Sequence, residues 1–154
     1  MTDLMTALMI WISANTGYDT TGMPLPDLVE MTPEELTAEY YTGVPHLIPA
    51  KGVDDRVQAL YAPGDGPDGR VYVLAATHVD GAEDDPYGNP LFQEMVLHEL
   101  LHHVQYESGA AEGWLCPAQG EVEAYAAGGK FLKQRYVTDP MPNRTFWAHI
   151  YSRC

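Results

Sequence analysis

Two histidines four residues apart, His98 and His102, with Glu99 directly after the first, are the residues whose types and spacing could do chemistry. On a helix, residues four apart lie one turn apart on the same face. His98 and His102 can therefore offer two imidazoles to one metal ion. Glu99 sits about 100° round the helix from His98, within reach of a water on that metal. The pattern His98-Glu99-Leu100-Leu101-His102 thus supplies two zinc ligands and a general base for metal-assisted hydrolysis.

The spacing requires a helix. Residues 91–106 contain neither Pro nor Gly, and Asn89-Pro90 in front of them reads as an N-cap followed by proline at the first helical position. The run ends near Ser108-Gly109. Away from the ligands it is apolar, with Phe92, Val96, Leu97, Leu100, Leu101 and Val104. A helix of this kind is buried, and a buried histidine pair needs a reason. The bland alternative is two core histidines satisfied by hydrogen bonds.

A catalytic zinc usually takes three protein ligands and keeps one position open. The metzincin extension needs Gly at 105 and His at 108, where this chain has Gln105 and Ser108. The third ligand is then an acid on a following helix. Glu121 and Glu123 are the candidates, while Glu112 lies in the intervening loop beside Gly113. Residues two apart point to nearly opposite sides of a helix. Glu121 shares its face with Tyr125, Gly128 and Leu132, whereas Glu123 lies with Ala127, Lys130 and Gln134 on a solvent-like face. This favours Glu121. The small residues Ala124, Ala126, Ala127, Gly128 and Gly129 are expected to let the two helix backbones approach closely.

The pair of motifs, 98–102 followed by Glu121-Val122-Glu123-Ala124-Tyr125, resembles the gluzincin metallopeptidases, especially the small minigluzincins. It is also similar to a group of short bacterial proteins of unknown function with an HExxH helix, a Cys-Pro and a Glu-x-x-Ala-Tyr helix. The resemblance implies zinc binding by the first Glu of the second motif, here Glu121, in agreement with the face argument. It also implies a zincin-like fold, with an N-terminal helix, a small sheet, the motif helix and the Glu helix. The departure is Tyr125, where Asp or Asn is frequent in the family and supports a ligand histidine.

The remaining elements follow from local signals. Residues 3–16 read as an amphipathic helix stopped by Gly17, with Leu4, Leu8, Trp11 and Ile12 at helical spacing. Residues 27–31 form a short strand candidate. Thr32-Pro33-Glu34-Glu35 is a capping box that opens a helix to about Tyr41. Residues 56–61 and 70–75 are β-rich around the turn cluster 63–69 and read as a hairpin. Residues 78–86 form an acidic loop at the mouth of the site; the rival, a calcium loop, fails the EF-hand spacing. A helix spans about 118–136, and 146–151 is an aromatic tail packing on the domain. The expectation is an α+β fold in a single domain, 1–154.

Eight basic against twenty-two acidic residues give a net charge of −14. Such a field repels phosphate backbones and anionic membranes, which argues against nucleic acid as a partner. The apolar run 7–12 is far short of a membrane span. No positive region precedes it, so the chain as written carries no export signal, which points to the cytoplasm. Cys116 and Cys154 pull the other way. A disulfide between them would tie the tail to the site region and fit an oxidising compartment, periplasmic or secreted, with a signal already removed.

The function expected is that of a zinc-dependent peptidase acting on a peptide or protein substrate, with His98, His102 and Glu121 on Zn2+ and Glu99 as general base. The alternatives are a zinc-stabilised binding module without activity and a structural domain without metal. Tyr106, His103, Tyr72 and His78 are the candidate oxyanion donors. By analogy with the zincins it resembles, the strand 72–75 is the candidate edge for pairing with an extended peptide.

Overall fold

The computed structural model describes residues 1–81 and 84–154. The acidic loop expected over 78–86 therefore falls partly outside the described residues. Among the described residues the fold is α+β, with five α-helices and one three-stranded sheet.

Local chemistry sets most element boundaries. Helix α1 spans Thr2–Asn15 and buries Met5, Leu8, Met9 and Ile12. Strand β1 is Asp27–Met31. Helix α2, Pro33–Tyr40, begins with the expected capping box, in which Thr32 and Glu35 satisfy each other's backbone N–H groups. Strand β2 is Ala59–Ala62, three residues shorter at its start than the sequence suggests. Asp54 accounts for the difference. Its carboxylate accepts from the Arg56 backbone N–H and guanidinium, which holds 54–56 in a turn and keeps Arg56 out of the strand. Strand β3 is Arg70–Leu74.

β2 and β3 form the expected antiparallel hairpin, with Ala59 opposite Val73 and Ala62 opposite Arg70. β1 pairs in parallel with the other side of β3, so the sheet order is β1-β3-β2. The strand carrying Tyr72 is thus central, with both rows of backbone groups engaged. It cannot serve as the edge for a peptide, and the edge roles fall to β1 and β2.

Helix α3, Pro90–Glu107, is the centre of the core. Asn89 caps it by accepting from the Leu91 N–H. Phe92, Val96, Leu97, Leu100, Leu101 and Val104 are fully buried against α1, the sheet and α4. The helix expected over 118–136 splits into a 3-10 turn, Pro117–Gly120, and helix α4, Glu121–Gln134. The aromatic tail is itself a helix, α5, Arg144–Tyr151, laid along α4. The sulfurs of Cys116 and Cys154 lie at disulfide distance, with Cα atoms 5.8 Å apart, so the end of the chain is tied to the loop before α4.

Gly128 and Gly129 do something other than thin the α3–α4 contact. A Cβ on Gly128 would run into the Glu94 carboxylate and the Arg144 guanidinium. Arg144 reaches from α5 across α4 to Glu94 on α3 at 2.7 Å, and also grips Asp139. The glycines make room for this half-enclosed ion pair. Ala124 and Ala127 carry the tight packing expected of the small residues.

Candidate metal centre

His98 and His102 emerge from the one side of α3 that is not packed into the core, and α4 begins opposite them. The 3-10 turn delivers Glu121 as the first residue of α4. Gly120 before it is required by close approach, since a Cβ there would strike the Gln105 amide and the Trp114 ring.

The three side chains converge. His98 Nε2 is 3.0 Å from Glu121 Oε2, His102 Nε2 is 3.2 Å from His98 Nε2, and His102 Nε2 is 3.6 Å from Glu121 Oε1. Two ligand atoms bound to tetrahedral zinc at about 2.0–2.1 Å stand about 3.3 Å apart. With one Glu121 oxygen turned to each histidine, these spacings are close to that value, and His98, His102 and Glu121 could hold a metal ion. All three are half-buried, which leaves an approach from solvent.

Electrostatics of the metal-free site point the same way. Burial disfavours charge on His102, but the hydrogen bond to Glu121 and the nearby carboxylates outweigh it, raising its pKa to about 9. Burial would lift Glu121, yet its contacts with both histidines hold it down at about 2. A proton shared with imidazole thus stands where a cation is favoured.

Glu99 is 7% exposed and makes no hydrogen bond to any described residue. Burial pushes its carboxyl pKa up, against the pull of His98 and His102. An unengaged carboxyl with a raised pKa next to a cation site has the properties of a general base.

The other candidate residues are engaged elsewhere or exposed. His103 is buried, donates from Nε2 to the Pro24 carbonyl and accepts at Nδ1 from the Tyr61 hydroxyl. The Tyr72 hydroxyl donates to Asp65, and His78 lies by Thr77. Tyr106 is exposed, edge-on to the Tyr61 ring. Glu112 is exposed. Glu123 is a correction: it does not face solvent, but accepts from the Tyr18 hydroxyl at 2.8 Å and from the Gln105 amide at 3.0 Å. Residues distant in sequence cover its face, which helical periodicity cannot register.

Gln105, Glu123, Tyr18 and Tyr151 are neighbours of the site that spacing alone does not reveal. Tyr125 does approach a ligand histidine, as an aromatic ring against His98 rather than as a hydrogen-bond partner.

Comparison of the chain with family models, with curated proteins and with solved structures finds no match. Among the described residues, no helix is long and apolar enough to cross a membrane. The conclusion this site supports is therefore chemical: a His98–His102–Glu121 group able to hold a metal ion, on an α+β scaffold.

Proposed function

We propose that the protein is a zinc-dependent hydrolase that cleaves peptide bonds. The observation that carries this reading is the donor triangle of two imidazoles and one carboxylate at zinc-ligand spacing, with the unpaired Glu99 carboxyl one residue from His98. A mixed nitrogen–oxygen donor set with three protein ligands suits zinc with an open position, and is too poor in oxygen for calcium.

When bound, zinc supplies a Lewis acid that polarises a carbonyl and lowers the pKa of water to about 7. Glu99 takes a proton from the attacking water on its carboxylate and delivers it to the leaving amine. The buried setting that raises its pKa favours both transfers. We assign donation to the developing oxyanion to Tyr125. Its ring lies 4.8 Å from that of His98, and its hydroxyl has no partner among the described residues. Burial and the carboxylates of Glu121 and Glu99 raise the phenol pKa, so it stays a neutral donor. An extended substrate would pair along β2, the sheet edge that Tyr61 joins to α3 through His103. Peptides are the favoured substrate class because this edge offers main-chain hydrogen bonds.

The test is metal analysis combined with a peptide-library assay. The purified protein should carry one zinc per chain, Glu121→Ala should lose it, and Glu99→Gln should keep zinc while losing cleavage. Cleavage by Glu99→Gln at the wild-type rate would remove the mechanism. Zinc binding without cleavage of any peptide would favour a metal-stabilised binding module.

The Cys116–Cys154 bridge fits an oxidising compartment, and we place the protein there as part of the same proposal.

A further inference from the structure

We propose that Gln105, held in one orientation by Glu123 and Tyr18, is a positioning residue that sets the tautomer of His102. The inference rests on the metal-binding reading for its purpose, but its geometry is independent of any metal.

Gln105 lies on α3 three residues after His102 and is 1% exposed. Its Oε1 is 2.9 Å from His102 Nδ1. Its Nε2 is 3.0 Å from Glu123 Oε2 and 3.2 Å from the Gly120 carbonyl oxygen. The two ends of a glutamine amide are hard to tell apart by shape, so the orientation must come from the partners. Here the partners decide. The Gly120 carbonyl can only accept. Glu123 Oε2 already accepts from Tyr18, so it too presents a lone pair to Gln105. A flipped amide would set its oxygen against two acceptors in a buried place, where an unmade hydrogen bond is costly. The NH2 group therefore faces Glu123 and Gly120, and Oε1 faces His102.

Oε1 can only accept. Nδ1 of His102 must then carry the hydrogen, which leaves the lone pair of neutral His102 on Nε2. That is the atom facing His98 and Glu121. The chain Tyr18–Glu123–Gln105–His102 thus prepares one imidazole in the tautomer a metal requires. It also joins three parts of the fold, because Tyr18 follows α1, Glu123 lies on α4, and Gln105 and His102 lie on α3. His98 has no comparable Nδ1 partner among the described residues and is flanked by Tyr125 instead. The two histidines are held by different means. The acidic group stands one step behind a neutral amide, so His102 gains direction without direct contact with a second carboxylate.

Two readouts test this on the full-length chain. The first is the 15N spectrum of His102 in metal-free protein at about pH 10, above the histidine range. Wild type should show the Nδ1–H form, and Glu123→Gln, whose amide can donate and so permits the flip, should show a mixture. The second is zinc affinity by competition with a chromophoric chelator. Gln105→Ala should bind roughly 10–100-fold more weakly. Should Gln105→Ala fail to fold, Glu123→Gln carries the comparison in both readouts. An Nε2–H form in the wild type overturns the proposal. So do folded Gln105 and Glu123 variants with wild-type tautomer and zinc affinity. An Nδ1–H form in a wild type that binds no zinc would remove the proposed function while leaving this assignment standing.

Discussion

The ring of Tyr125 meets the ring of His98 edge-on at 4.8 Å and also stacks against Tyr151 at 5.8 Å. One aromatic residue of α4 thus links a candidate metal ligand on α3 to the C-terminal helix. Tyr151 in turn stacks on Trp147, so the exposed aromatic side of α5 continues directly to the site. Three attachments hold α5 there: Arg144 at its start, these rings along it, and the cysteine pair beyond its end.

If Tyr125 donates to the oxyanion, Tyr125→Phe should retain the ring against His98 and lose only the hydroxyl. Turnover is expected to fall by about 10²-fold with little change in KM or zinc content. Steady-state kinetics on a cleaved peptide decide it, and wild-type turnover by the variant would exclude the hydroxyl from the reaction.

Opening the Cys116–Cys154 pair should free the end of α5 while leaving the ligand-bearing helices in place. For a 38-residue separation the chain-entropy model gives a loss of about 4 kcal/mol in folding stability. The Cys116→Ser/Cys154→Ser protein should unfold at correspondingly lower denaturant and still bind zinc. Unchanged stability would show that the bridge constrains little.

Gly128→Ala sets two effects against each other. Alanine gains about 1 kcal/mol of helix propensity over glycine. The added methyl must displace Glu94 and Arg144, and disrupting this half-enclosed pair costs roughly 2–4 kcal/mol, less than breaking a fully buried one. Displacement wins, and a net destabilisation of about 1–3 kcal/mol is expected in urea unfolding. A stabilised variant would mean that the pair moves aside freely.

The Arg144 cluster should also make stability depend on acid. Burial raises the Asp139 carboxyl, but the Arg144 guanidinium and the Met141 N–H hold it below its ordinary value of 3.8. A carboxyl depressed by folding stabilises fully above its unfolded pKa, and that contribution disappears as pH falls through the folded value. Unfolding curves should therefore show stability falling below about pH 4. Asp139→Asn should flatten that part of the profile, and an unaltered profile would assign the acid sensitivity to other groups.

Much of the architecture is legible in the order of residues because it is encoded locally. The capping box at Thr32 and Glu35, the Asn89-Pro90 start of α3 and the hairpin around 63–69 act within a few residues. Glu121 could be preferred over Glu123 from helical angle alone, and it is the acid that meets both histidines. The same angle assigned Glu123 to solvent, because no periodicity reports that Tyr18 and Gln105 arrive from elsewhere. The aromatic tail gave no clear helical sign, since its helix is short and held by distant partners on α3 and α4.

The sequence by itself determined the helix, its two histidines on one face, the Glu99 carboxyl beside them and the acid on the next helix. Each depends on a fixed rise and turn per residue. Only the tertiary structure decided that β3 lies inside the sheet, that the glycine pair houses Glu94 and Arg144, and that Gln105 stands behind His102. These arrangements join groups tens of residues apart, and they arise from packing and from the need of buried polar groups for partners.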